Sequence, residues 1–174
     1  MIDKFVPDMH SQSIYRIDYE SLKKKGIKLL IFDLDNTIAP ANIDLPSKEA
    51  INLMYDLKDM GFNIVLMTNS TRKRVEAFKN TLEIDTCASS KKPLSKNYKK
   101  ILKLYKVEPE EVVAIGDQLL TDVLGANRMG LTSILVNPVS KYDLKVTKLN
   151  RHIEKKLFKI MEKRDLFKRG KYYE

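Results

Sequence analysis

The chain has no tryptophan, one cysteine and only two histidines, and each scarcity excludes something. Cys87 alone cannot close an internal disulfide. It cannot serve a cysteine-based phosphatase either, because that chemistry needs an arginine six residues on and Pro93 stands there. His10 and His152 are too isolated for a Ser-His-Asp site or a zinc site. Long hydrophobic runs are missing as well. Leu29 to Phe32 and Ile64 to Met67 fall far short of the ~20 apolar residues a membrane span needs. The N-terminal MIDKFVPDMH carries acids and no apolar core, so no signal peptide is expected, and a reducing cytoplasm is the simplest compartment. Gly125 and Gly130 have the spacing of a phosphate-binding P-loop, but Leu131 stands where its lysine belongs.

What is present is a soluble, globular balance: 174 residues, 43% hydrophobic and 32% charged. That length suits one domain, read here as residues 1–174 with a basic C-terminal helix and tail at about 149–174. The net charge of +9 is unevenly placed, since residues 141–174 hold 12 Lys and Arg against 5 Asp and Glu. A basic tail favours an anionic partner, lipid headgroups or nucleic acid, or else a solvated face. Nucleic acid is the weaker choice, because the chain has no helix-turn-helix signature, no aromatic RNP motif and no tryptophan.

Apolar runs and helical stripes alternate along the chain. Strands are predicted at residues 27–32, 62–68, 84–88, 111–115 and 132–136. Helices are predicted between them at 47–60, 71–82, 95–105 and 119–129. Five strands separated by helices predict an α/β fold with a parallel central sheet covered on both faces. Such sheets bind ligands at the carboxyl ends of their strands. Leu149, Ile153, Leu157 and Ile160 form a final helical stripe among lysines. It is expected to pack on the body, the alternative being an anionic membrane, and the basic residues of 164–171 are expected to be loose.

The predicted strand ends carry the chemistry: Asp33-Leu34-Asp35-Asn36-Thr37, Thr68-Asn69-Ser70, and Gly116-Asp117-Gln118 with Asp122 beyond it, while Lys91-Lys92-Pro93 precedes a helix. Asp33 and Asp35 could be a mere turn pair, and Asp122 an ordinary acid in a first helical turn. Taken together, Asp33, Asp35 and Asp117 offer only hard oxygen ligands, a set suited to Mg²⁺. Asp33 could attack phosphorus to form an aspartyl-phosphate. Asp35 could then act as general acid and base. Thr68 and Lys92 would hold the phosphoryl oxygens, and Asn69 is a further substrate-contact candidate.

These motifs, in order across roughly residues 27–136, resemble those of the haloacid-dehalogenase-like (HAD) phosphohydrolases: DLDNT at 33–37, Thr68 after a strand, Lys92 before a proline, and GDQLLTD at 116–122. The resemblance implies a three-layer Rossmann-like fold, Asp33 as nucleophile and metal ligand, and Asp35 binding the metal through its main-chain carbonyl. It further implies Asp117 as the third protein ligand and Asp122 as support for the metal. Only 30 residues separate Thr37 from Thr68 and 23 separate Thr68 from Lys92, too few for a cap domain. KKP and GDQLLTD look like subfamily IIIA. The PD at residue 7 and Asn150-Arg151-His152-Ile153-Glu154 resemble its bacterial YqeG-type phosphatases, whose relatives include phosphatidylglycerophosphate phosphatases. The expected substrate is therefore a phosphomonoester, with a membrane lipid preferred over soluble sugar, nucleotide or protein phosphates. The basic tail would make peripheral contact with the inner face of the membrane.

Overall fold

The structure is a computed structural model that describes residues 2–173. Six strands form one parallel sheet: β1 (Met9–Ser11), β2 (Leu29–Phe32), β3 (Asn63–Met67), β4 (Asp85–Cys87), β5 (Val112–Gly116) and β6 (Thr132–Val136). Their order is β1-β6-β5-β2-β3-β4. The helices are α1 (Tyr19–Lys24), α2 (Lys48–Asp59), α3 (Arg72–Leu82), α4 (Ser95–Tyr105), α5 (Leu124–Met129) and α6 (Lys145–Lys163). Five of these strands match the sequence reading. The sixth, β1, is three residues long, too short to show a period, and pairs with β6 through Met9 and Ile134.

Period-two alternation divides the sheet between two helical layers. Leu30, Phe32, Ile64, Leu66, Val113 and Ile115 face Met54 and Leu57 of α2 and Val75, Phe78 and Leu82 of α3. Leu29, Ile31, Val65, Met67 and Ala114 face the other way, onto Tyr98 and Ile101 of α4 and Ala126 of α5. A third cluster joins Leu119, Val123 and Leu135 to Met161 of α6 and Phe167 of the tail. This is a three-layer, Rossmann-like α/β fold, and no cap domain interrupts it among the described residues.

α6 departs from expectation in how it docks. Its buried residues are Glu154 and Met161, with Leu157 and Phe158 partly covered, whereas Leu149, Ile153 and Ile160 are exposed. Three of the four residues of the predicted stripe are thus turned away from the body, and Leu157 alone of them packs against it. The tail is not loose: Phe167 is buried, and Tyr173 exchanges two backbone hydrogen bonds with His10 at 2.8 and 2.9 Å, which covers the edge strand β1. No helix among the described residues is long and apolar enough to cross a membrane.

Candidate active site

From β2 the chain proceeds to β3 and β4 on one side, then to β5 and β6 on the other, so the order reverses between β2 and β5. Their carboxyl ends splay apart there and open a crevice. Asp33 directly follows β2, and its N–H donates to Ile115 O at 2.9 Å, which carries the ladder one residue past the strand and fixes Asp33 at the rim. Asp117 directly follows β5. Between them the chain turns at Asn36, which takes the left-handed conformation (φ 63°). Its amide donates to Tyr142 O at 2.8 Å and to Asp143 Oδ1 at 2.9 Å, and accepts from Ser140 Oγ at 3.0 Å. The loop before α6 is thereby tied to the turn that follows Asp33.

Asp33, Asp117 and Asp122 are all buried, and each offers a carboxylate oxygen within 4.8 Å of the others. Lys92 Nζ lies 2.6 Å from Asp33 Oδ1 and 2.6 Å from Asp122 Oδ1. Asp122 reaches this place because position 116 is glycine: a Cβ there would lie 2.2 Å from Asp122 Cγ. The π-helical turn Leu119–Val123 carries Asp122, whose Oδ2 accepts from Gln118 N–H at 3.1 Å. Lys91, beside Lys92, is exposed and takes no part.

The electrostatics of this cluster are unbalanced. Burial, opposed by Lys92, pushes the Asp33 carboxyl up to about 7, with Asp122 and Asp35 adding repulsion. Burial also raises Asp117 well above the usual carboxylate range, against the pull of Arg151. Burial works against the charge on Lys92, but Asp122 and Asp33 outweigh it and keep the ammonium protonated. Three buried carboxylates facing one ammonium and one guanidinium leave negative charge that a cation would neutralise. An all-oxygen donor set fits a hard divalent ion.

Asp35 stands outside that cluster. Its Oδ1 accepts from Arg74 Nε at 2.9 Å, and its Oδ2 accepts from the Ser70 hydroxyl. Arg74 also donates to Ile43 O at 2.7 Å and Pro40 O at 3.1 Å, so one guanidinium holds Asp35 and the 40–44 loop together. Thr68 is buried at the end of β3, and its Oγ1 accepts from Ser70 N–H at 3.1 Å, leaving its proton to donate into the cleft. Asn69 braces the lysine loop. Its Oδ1 accepts from Lys92 N–H at 2.7 Å and Ser90 Oγ at 3.0 Å, and its Nδ2 donates to Lys92 O at 3.2 Å. Asp33, Asp35, Thr68, Asn69 and Lys92 all line one cleft of about 510 Å³, whose far wall is Leu144, Val146, Thr147 and Asn150.

Sequence reasoning gave no role to Arg151, Glu154 or Arg74. Arg151, on α6, pairs with Asp117 and donates to Asp117 O at 2.7 Å. Glu154, one turn on, is buried and accepts from Leu120 N–H at 3.1 Å and Arg151 Nη1 at 3.2 Å. No spacing in the sequence connects residue 151 to residue 117. Arg151 and Glu154 were visible only as part of the Asn150–Glu154 stretch that resembles YqeG-type phosphatases, with no contact attached to them.

Comparison with known proteins identifies the family. A family model described as mitochondrial PGP phosphatase matches residues 2–140. The Bacillus subtilis (strain 168) protein named Probable phosphatase YqeG is 33% identical over 160 residues, covering 92% of this chain and 93% of that protein. Phosphatidylglycerophosphate phosphatase 1, chloroplastic/mitochondrial, of Arabidopsis thaliana is 25% identical over 150 residues, 78% of this chain but only 42% of the plant protein. Among solved structures, the cobalt-bound deoxy-D-mannose-octulosonate 8-phosphate phosphatase of Haemophilus influenzae shares the fold. Its TM-score is 0.54 at 16% identity, over 66% of this chain and 70% of that one. The switch-point carboxylates, the lysine that bridges them and the matched family together make this chain a member of the PGP phosphatase family, a HAD-type phosphoric monoester hydrolase of the YqeG kind.

Proposed function

We propose that the chain hydrolyses a phosphomonoester through an aspartyl-phosphate on Asp33 with Mg²⁺, and that its substrate is a lipid phosphomonoester of the phosphatidylglycerophosphate type at the inner face of the membrane. The carrying observation is the convergence of buried carboxylate oxygens of Asp33, Asp117 and Asp122 within 4.8 Å of one another, with Asp33 and Lys92 lining the cleft. Bound there by Asp33, Asp117, the Asp35 carbonyl and Asp122, Mg²⁺ would supply neutralisation of the phosphoryl oxygens.

Lys92 takes Asp33 Oδ1, while the Thr37 hydroxyl reaches Oδ2 only at a long 3.5 Å, so Oδ2 is the attacking oxygen. A new Oδ2–P bond forms as the P–O bond to the leaving alkoxide breaks, and Asp35 gives that oxygen its proton. Asp35 then takes a proton from a water whose oxygen attacks phosphorus, breaking the Oδ2–P bond and releasing phosphate. Thr68 and Lys92 hold the phosphoryl oxygens through both steps, and Asn69 keeps Lys92 in place. The lipid substrate is supported by what the plant relative is named for and by an uncapped cleft walled on one side by the apolar residues Leu144 and Val146.

The test is phosphate release from phosphatidylglycerophosphate in mixed micelles, with and without Mg²⁺. Asp33→Asn, which keeps the shape of the side chain, is expected to lose turnover by at least ~10³-fold while its circular dichroism matches wild type. Release that continues in this variant would eliminate the covalent mechanism. Release from an aryl phosphate but not from micelles would retain Asp33 and replace the lipid with a soluble ester.

A further inference from the structure

α6 has three kinds of surface. One buries Glu154 and Met161 against the body. A second is a basic band that includes Lys156, Lys159 and Lys163, all exposed. Between them runs an apolar stripe with no cover among the described residues: Val146, Leu149, Ile153 and Ile160 are 74%, 65%, 42% and 41% exposed. At 3.6 residues per turn these four fall within about 60° of arc, and from first to last they extend about 20 Å. The stripe begins in the cleft wall, where Val146 and Leu144 face the nucleophile's pocket, and runs outward from it.

We propose that this stripe is the surface by which the protein rests on an anionic bilayer, with the active-site cleft opening onto the same plane. An apolar strip bordered on one side by lysines, on a helix too charged to insert, matches a helix lying in the headgroup region: apolar side chains enter the acyl boundary and lysines meet lipid phosphates. The charge of the chain is concentrated in the segment that carries the helix, +7 of the net +9. The contact is thus assigned to the face of α6 rather than to the tail at 164–171, whose Phe167 is already buried against the body. The inference deepens the lipid-substrate reading and rests on it only for the purpose of the contact. A headgroup phosphate held in the bilayer reaches Asp33 without leaving it, because Val146 belongs to both the stripe and the cleft.

The test separates binding from turnover. The full chain is sedimented with vesicles of roughly equal phosphatidylglycerol and phosphatidylcholine and with pure phosphatidylcholine vesicles, for wild type and for Leu149→Ser/Ile153→Ser/Ile160→Ser, whose residues lie outside the cleft. Wild type is expected to bind the anionic vesicles. The triple variant is expected to bind at least ~10-fold more weakly while keeping wild-type turnover of an aryl phosphate. Equal binding by the variant, or no binding by wild type, overturns the proposal. So does a wild-type dimer that the variant dissolves, because the stripe is then covered by a second copy. Binding without release from phosphatidylglycerophosphate leaves the stripe standing and removes the lipid substrate. Release from micelles without vesicle binding does the reverse.

Discussion

Arg74 shows how much of the site depends on single side chains outside the motifs. Its Nε holds Asp35 Oδ1 at 2.9 Å, its Nη1 and Nη2 hold the 40–44 loop, and its guanidinium lies over Phe78 at 5.4 Å. In the proposed mechanism Asp35 gives its proton to the leaving oxygen, and that requires its carboxyl to stay aimed there. Arg74→Ala should therefore lower kcat by roughly 10-fold with KM changed by less than about 2-fold, and Arg74→Lys should restore part of the loss. Steady-state kinetics on an aryl phosphate read the split. A rise in KM at constant kcat would instead make Arg74 a substrate contact. The carboxylates and Lys92 were legible in the sequence because their chemistry is tied to strand ends, whose positions follow from apolar runs. Arg74 and Arg151 were not, because each acts across 34 or more residues of chain, and helical spacing reports only neighbours on the same helix.

Elements impose their own limits, clearest where α5 crosses α4. A Cβ on Gly125 would lie 2.6 Å from Tyr98 Oη and 2.9 Å from its Cε2, and Tyr98 is itself buried beneath the sheet. Alanine is the better helix former by about 1 kcal/mol, yet overpacking a buried contact costs about 1–3 kcal/mol, so contact outweighs propensity. Gly125→Ala should lower Tm by a few degrees, since about 1 kcal/mol moves a domain of this size by roughly 2–4 °C. Adding Tyr98→Phe removes the nearest atom and should recover part of that loss, a non-additivity seen by denaturing both variants and the pair. An unchanged or raised Tm for Gly125→Ala would mean that α5 and α4 are not in close contact. Element scale is also where the stripe on α6 misled. Its apolar period marks a genuine face of the helix, but docking is set by Glu154 reaching Leu120 N–H and Arg151 reaching Asp117, which rotate that face away from the body. Buried polar anchors leave no hydrophobic period to read.

Across the whole molecule, the two ends of the chain meet at one edge of the sheet, and that junction holds a titratable group. His10 is buried in β1 among the rings of Phe167, Tyr172 and Tyr173, and its Nδ1 lies 3.1 Å from Lys171 O. Burial pulls its pKa below the ordinary 6.5 and Arg169 pulls the same way, against the hydrogen bonds to the Lys171 carbonyl and Asn137. The folded state therefore prefers the neutral ring. Above pH 6.5 both folded and unfolded chains hold it neutral, and the contact contributes in full. As pH falls below 6.5 the unfolded chain takes up a proton that the folded chain resists, so stability is lost until the folded pKa is passed. Asp33, Asp117 and Glu154, all raised by burial, act in the opposite direction, so the sign for His10 must be read as a difference between proteins. His10→Phe keeps a ring in the cluster and cannot titrate. Urea unfolding at about pH 7.5 and about pH 5.5 should show wild type losing more stability than His10→Phe over that interval. Parallel losses in the two proteins would mean that His10 is already free to protonate in the fold, and that the tail does not seal the edge of β1 against water.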